Sequence, residues 1–278
     1  AISSDCSVTA SFATFISTVF NTTAYELPYP NDLLSGLCEE SVPIFTSILS
    51  PIDTNLDSYN DLIVHYWCGP KEFGVYIDTP VPDAVVAFKN NGDETFTIAN
   101  SEVFGQEVLS FGAASRKVVE ADFNGDGCGD IVMSSSGLAK VWMSKFGKHH
   151  LRTYKELKME SYYGAKDNMK INYLTSGDLD GDGDPDLVVG ITRANPYYKG
   201  RKILIFINED GELIEKTNEL IQDNRDQAIK GKLQNHGEGS IRLVDHDRDG
   251  DLDIIDSTGG SFEENGRFGY AIFENDGS

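Results

Sequence analysis

One pattern of oxygen-bearing side chains recurs four times along this 278-residue chain and narrows its possible folds more than any other feature. The pattern is D-x-[DN]-x-D-x-x-x-D, and every copy runs straight into an apolar stretch. The first copy has Asp53, Asn55, Asp57 and Asp61 ahead of Leu62-Ile63-Val64, and the second has Asp122, Asn124, Asp126 and Asp130 ahead of Ile131-Val132-Met133. The third has Asp178, Asp180, Asp182 and Asp186 ahead of Leu187-Val188-Val189, and the fourth has Asp245, Asp247, Asp249 and Asp253 ahead of Ile254-Ile255. Short apolar runs rich in β-branched residues and bounded by turn formers read as buried strands. Repetition at a long period means that one supersecondary unit is used several times.

A second landmark follows three of the loops. It is a strand ending in Phe-x-Asn and a turn: Phe88 with Asn90 and Gly92, Phe206 with Asn208 and Gly211, Phe273 with Asn275 and Gly277. The second repeat carries a degenerate version over Val141, Trp142, Met143, Ser144 and Gly147. Asn and Gly here are expected to supply the positive φ angles of hairpin turns. Each unit therefore reads as strand, acidic loop, buried strand, variable loop, strand, hairpin, strand.

The first aspartates of successive copies lie 69, 56 and 67 residues apart, a period that suits a four-stranded β-propeller blade. The expected fold is all-β, a β-propeller of four recognisable four-stranded blades over residues 43–278. The blades are read at 43–99, 117–157, 171–216 and from residue 240 onward, the last without its outer strand. Residues 1–42 do not match the repeat and form a separate N-terminal segment. Val8, Phe12, Phe15, Ile16, Val19 and Phe20 sit at helical spacing, giving an amphipathic helix over 7–21. Leu33, Leu34 and Leu37 suggest a second short helix after Pro30, capped by Asn31. A strand over 7–15 is the competing reading; it would complete the outer edge of blade four or be donated to a neighbouring copy.

The acidic loops point to a divalent cation. Oxygens at positions 1, 3 and 5 of a tight loop converge on one centre, and position 9 returns a carboxylate as the chain enters the next strand. Position 7, occupied by Tyr59, Cys128, Asp184 and Asp251, contributes through its backbone carbonyl. Five or six hard oxygens in a flexible cage suit calcium better than strictly octahedral magnesium. Up to four ions are expected, one per loop. Glycine at position 6 (Gly127, Gly183, Gly250) allows the sharp turn. Loop one departs, with Leu56 at position 4 and Ser58 at position 6, so its site is expected to be the weakest or empty. His246 and Arg248 in loop four occupy outward positions and are not expected to ligate. Without a metal, four carboxylates in one small loop repel one another, so metal binding is expected to be coupled to folding.

Charge and composition bound the partners. The formal net charge of −22 disfavours nucleic acid and anionic membrane surfaces. No run of about 18 apolar residues is present to span a bilayer. The chain begins at Ala1 without a basic, apolar leader, read here as the product of signal-peptide removal and hence of secretion. One glycosylation sequon lies at Asn21-Thr22-Thr23.

The repeats resemble FG-GAP/VCBS repeats, the units of integrin α-subunit propellers and of many secreted bacterial proteins. The resemblance covers residues 43–278 and implies a calcium loop between the innermost strand of each blade and the next. Carried over residue by residue, it implies the ligands already named at positions 1, 3, 5 and 9. Propellers of this family commonly have more blades than four, so ring closure stays open. On this topology Cys68 and Cys128 fall on opposite faces of the disc, too far apart to bond. Cys6 and Cys38 bracket the N-terminal segment and are expected to pair, leaving Cys128 a free thiol.

No nucleophile elbow, Walker loop or HExxH helix is present. His149 and His150 read as an exposed hairpin edge, His65 as a packed core residue beside Tyr66 and Trp67, and His236 as a turn residue. Tyr162-Tyr163 and Tyr197-Tyr198 are candidates for stacking on sugar rings or for packing between blades. The expected function is that of a secreted or cell-surface, non-catalytic module for binding, adhesion or self-assembly. Its partner would be a glycan, an extracellular protein, or a copy of itself through the open blade edge. The alternative is a polysaccharide-active extracellular lyase or hydrolase.

Overall fold

The computed structural model describes residues 26–38, 44–54, 57–68, 83–104, 117–126, 129–135, 138–143, 153–157, 169–193, 201–221, 240–258 and 269–277. They form an all-β fold of four antiparallel sheets, each a meander of consecutive strands. Sheet I contains β1 (Ile44–Ile52), β2 (Asp61–Cys68), β3 (Asp83–Asn90) and β4 (Phe96–Ile98). Sheet II contains β5 (Val118–Ala121), β6 (Asp130–Ser135), β7 (Leu138–Met143) and β8 (Thr153–Glu156). Sheet III contains β9 (Met169–Gly177), β10 (Asp186–Arg193), β11 (Arg201–Glu209) and β12 (Glu212–Glu215). Among the described residues, sheet IV contains β13 (Ile241–Val244), β14 (Asp253–Thr258) and β15 (Gly269–Phe273). No sheet closes on itself among the described residues.

Alternation along the second strand of each repeat decides how the sheets stack. In β10, Leu187, Val189 and Ile191 point one way and pack with Phe123 and Val132 of the preceding repeat. Val188 points the other way and packs with Ile241 and Ile254 of sheet IV. The same rule places Ile63, Val85 and Ala87 of sheet I against Ile131 and Met133 of sheet II. These strands are buried on both faces, which explains why they read as continuous apolar runs. Burying each large aliphatic or aromatic side chain here stabilises the fold by about 1.5–3 kcal/mol. The first strands of successive sheets are neighbours: β1 lies beside β5, β5 beside β9, and β9 beside β13.

The outward face of sheet I is not left to solvent. Val64, Tyr66, Ala84, Val86 and Phe88 are covered by Leu27, Leu33, Leu34 and Leu37 of the N-terminal segment. The short helix α1 (Asn31–Leu34) is present, but Pro30 occupies the cap position and Asn31 begins the helix, with no side-chain cap bond. The helix expected over 7–21, the competing strand over 7–15 and the sequon lie outside the described residues.

The cysteine pairing differs from the sequence expectation. Cys38 is bonded to Cys68, not to Cys6, with their Cα atoms 5.5 Å apart. The physical reason is the leucine packing just described, which lays residues 27–37 over sheet I and delivers Cys38 to the far end of β2. Cys6 and Cys128 lie outside the described residues.

Two further short helices follow fourth strands: α2 (Asn100–Phe104) after β4 and α3 (Thr217–Leu220) after β12. Their first residues do the same job at equivalent places. Asn100 Oδ1 accepts the Ala87 amide and Thr217 Oγ1 accepts the Ile205 amide, in each case one residue before the buried phenylalanine of the third strand. Two of the repeats, those of sheets I and III, therefore include a helical turn that the strand reading does not foresee.

Candidate metal centre

The acidic loops join the first and second strands of each sheet, so all four occupy the same place in the repeat. Their first architectural element is the aspartate at position 9. Asp61, Asp130, Asp186 and Asp253 each open a second strand and are fully buried. In every loop one carboxylate oxygen accepts the amide of the position-2 residue: Thr54 at 3.0 Å, Phe123 at 2.9 Å, Leu179 at 2.7 Å and His246 at 2.7 Å. Where the third-strand asparagine is described, the other oxygen accepts its amide: Asn90 at 2.8 Å, Asn208 at 2.8 Å and Asn275 at 2.9 Å. A carboxylate with two charge-assisted bonds of this kind holds the loop closed from inside.

Positions 1, 3 and 5 curl the loop by accepting backbone amides. In loop 3, Asp178 accepts Gly181 at 2.8 Å and Gly183 at 3.0 Å, Asp180 accepts Asp182 at 3.2 Å, and Asp182 accepts Asp184 at 2.8 Å. Loop 4 repeats the ladder from Asp247 to Asp249 and from Asp249 to Asp251. In loop 1 Asp53 accepts Asp57 and Ser58, and in loop 2 Asp122 accepts Asp126. The curl needs two left-handed residues. Position 6 supplies one, at Gly183 (φ 95°), Gly250 (φ 108°) and Ser58 (φ 73°). Position 4 supplies the other, at Gly125, Gly181 and Arg248. Sequence reasoning found the first requirement and missed the second, although glycine at 125 and 181 is a visible signal.

Among the described residues, three carboxylates come together in two loops. Asp178, Asp180 and Asp182 of loop 3 offer oxygens within 4.8 Å of one another, and so do Asp245, Asp247 and Asp253 of loop 4. In loop 4, Asp245 Oδ1 is buried and has no hydrogen-bond partner. A buried anionic oxygen without a partner is costly, and a cation at the centre of that cluster would satisfy it. The donor set is all-oxygen and mostly carboxylate, which fits a hard divalent ion. Asp249 lies outside the trio, and the position-7 residues Asp184 and Asp251 are half-buried. His246 and Arg248 are exposed, as are Asp247 and Asp249. In loop 1, Asp53, Asp57, Tyr59 and Asp61 are described but Asn55 is not; in loop 2, Asp122, Asn124, Asp126 and Asp130 are described but Cys128 is not.

Burial raises the proton affinity of three loop carboxylates, Asp61, Asp180 and Asp186. Burial pushes the Asp186 carboxyl up to about 6, helped by the charges of Asp180 and Asp182 and opposed by its bonds to Asn208 and Leu179. Burial raises Asp61 as well, against the Thr54 and Asn90 bonds. Asp180 is raised by burial and by its neighbours Asp182 and Asp178.

Residues 174–204 match the family model of the FG-GAP repeat. This segment is similar to FG-GAP repeats. It runs from the middle of β9 through loop 3 and β10 into β11, so the FG-GAP match contains one of the two loops whose carboxylates converge. No curated protein matches the chain in sequence. The three other acidic loops share the strand context and position-9 bonding of the FG-GAP segment.

The turn landmark after the third strand works differently from its sequence reading. Gly92, Gly211 and Gly277 have positive φ, but Asn90, Asn208 and Asn275 do not. Each asparagine instead accepts the amide of that glycine with its side-chain oxygen. His65 is buried, 2.9 Å from Asp83 and stacked on Trp67, in keeping with a packed core residue. His149, His150, His236, Tyr162, Tyr163, Tyr197 and Tyr198 lie outside the described residues. No helix among the described residues is long and apolar enough to cross a membrane.

Proposed function

We propose that this chain is a calcium-binding β-propeller that works outside the cell as a non-catalytic binding module, its acidic loops clamping successive blades while the surrounding loop surface meets a glycan or protein ligand. The observation that carries the reading is the loop 4 cluster of Asp245, Asp247 and Asp253, with the buried, unpartnered Asp245 oxygen at its edge. The FG-GAP match at residues 174–204 supports it, because such repeats are typical of extracellular binding proteins. Face-to-face stacking of sheets I to IV with adjacent first strands supports the propeller arrangement. The Cys38–Cys68 bond suits an oxidising compartment. Calcium would supply positive charge at the loop centre; the residues holding it would be positions 1, 3, 5 and 9, with the position-7 carbonyl.

A metal that binds only the folded state stabilises by about 2.7 kcal/mol at a hundredfold excess over its dissociation constant. The test is thermal melting of the metal-stripped protein with and without calcium chloride, paired with calorimetric titration. The expected result is saturable binding and a clear rise in Tm. An unchanged Tm with no binding heat overturns the metal assignment. Loss of glycan-array or protein-ligand binding in chelator, restored by calcium, is expected for the binding role; turnover of a polysaccharide would overturn it.

A further inference from the structure

The asparagine that follows the third-strand phenylalanine does more than shape a turn. In sheet III the Asn208 amide donates to Asp186 of its own loop at 2.8 Å, while its side chain donates to the Phe123 carbonyl of loop 2 at 2.8 Å and to Pro185 at 3.1 Å. Sheet IV repeats the arrangement one unit on. Asn275 donates its amide to Asp253 at 2.9 Å and its side chain to the Leu179 carbonyl of loop 3 at 2.6 Å and to Leu252 at 3.4 Å. In sheet I, Asn90 makes the bonds to its own loop, to Asp61 and Asn60.

Phe123 and Leu179 are the position-2 residues whose amides bind the position-9 carboxylates of their own loops. Each therefore points its N–H into its own loop and its carbonyl at the next repeat. The result is one hydrogen-bonded path through three loops: Asp130, Phe123, Asn208, Asp186, Leu179, Asn275, Asp253, His246.

We infer that divalent-cation occupancy of adjacent loops is positively coupled, with Asn208 and Asn275 as the coupling residues. This inference rests on the calcium reading above. Position 2 lies between ligand positions 1 and 3, so an ion that draws those two side chains inward fixes both peptides flanking the residue. The fixed carbonyl holds the asparagine of the next repeat, and that asparagine's amide holds the position-9 aspartate. In loop 4 this aspartate, Asp253, belongs to the converged trio itself. Ordering supplied by the first ion need not be supplied again by the second, which is positive cooperativity without a large structural change. The coupling is reciprocal, and couplings of this kind typically span about 5–150-fold. A path of single hydrogen bonds belongs at the low end, about fivefold.

Calcium titration followed by two-dimensional NMR tests this, because the amides of Gly183 and Gly250 report loops 3 and 4 separately. Silencing loop 3 with Asp180→Asn and Asp182→Asn is expected to raise the Gly250 midpoint about fivefold. Asn275→Ala is expected to weaken loop 4 similarly and to abolish its response to loop 3 silencing, so the double-mutant cycle shows strong non-additivity. If Asn275→Ala fails to give a folded spectrum, Asn208→Ala read at Gly183 tests the preceding junction. Both amides titrating with a Gly250 midpoint indifferent to loop 3 overturns the coupling alone. Neither amide responding to calcium in the unmodified chain overturns the metal reading and the coupling together.

Discussion

The side-chain amide of Asn208 donates to the carbonyl of Phe123 at 2.8 Å, reaching 85 residues back along the chain and across a sheet boundary. Asn208 is 1% exposed, yet its backbone amide, both side-chain termini and the carbonyls it meets are all paired. A buried amide so placed fixes one packing of sheet III on loop 2, because any other leaves polar groups unsatisfied.

Replacing Asn208 by Ala strands the Phe123 carbonyl and the Gly211 amide. Leaving buried polar groups without partners costs about 1–3 kcal/mol. Urea denaturation should show a loss in that range even without metal. A loss under about 0.5 kcal/mol would remove the clamp role.

The Cys38–Cys68 bond closes a loop with a sequence separation of 30 and pins the N-terminal segment to sheet I. Chain-entropy arguments give about 3–4 kcal/mol for a loop of that size. Paired Cys38→Ala and Cys68→Ala substitutions should lower stability by that order and speed proteolysis before residue 44. Peptide mapping that finds Cys38 joined elsewhere refutes the pairing.

Gly183 sits at φ 95° with nothing within 4 Å of where a Cβ would stand, so its cost on substitution is conformational alone. Gly183→Ala should destabilise the metal-free chain by about 1–2 kcal/mol, the left-handed penalty. Ser58, which already bears that penalty at φ 73°, should gain up to about 1 kcal/mol on change to Gly. Equal effects of opposite expectation, or none, would mean the loop relaxes out of this curl.

The acidity of Asp186 sets a pH dependence of definite sign. Its folded carboxyl stands at about 6 against an ordinary 3.8, so between those values the native state binds the proton more tightly. Its contribution to stability is then full below the unfolded value and is lost as pH rises through 6. Asp61 and Asp180 are shifted in the same direction. Metal-free protein should therefore lose stability between pH 4 and 6.5, and Asp186→Asn should flatten that slope. Denaturation curves showing stability rising over this window would reverse the conclusion that burial dominates.

Much of the repeat is legible because its signals are local. Asp178, Gly183 and Leu187 stand within ten residues of one another, and a turn followed by a buried strand needs only that neighbourhood to declare itself. The third-strand landmark was equally visible, but its asparagine was misread as a backbone device, since nothing near Asn275 in the chain reveals Leu179 as its partner. The helical turns at Asn100 and Thr217 escaped for a related reason: their value lies in capturing a strand amide 13 and 12 residues earlier.

The sequence by itself determined the unit: an acidic loop, glycine-punctuated in three of its four copies, entering a buried strand. Only the tertiary structure decided which cysteine Cys38 meets, which sheet face the leucines of 27–37 cover, and which loop each asparagine grips. Those choices are distances between residues tens of positions apart, set by how whole sheets stack, and no local pattern of side chains encodes them.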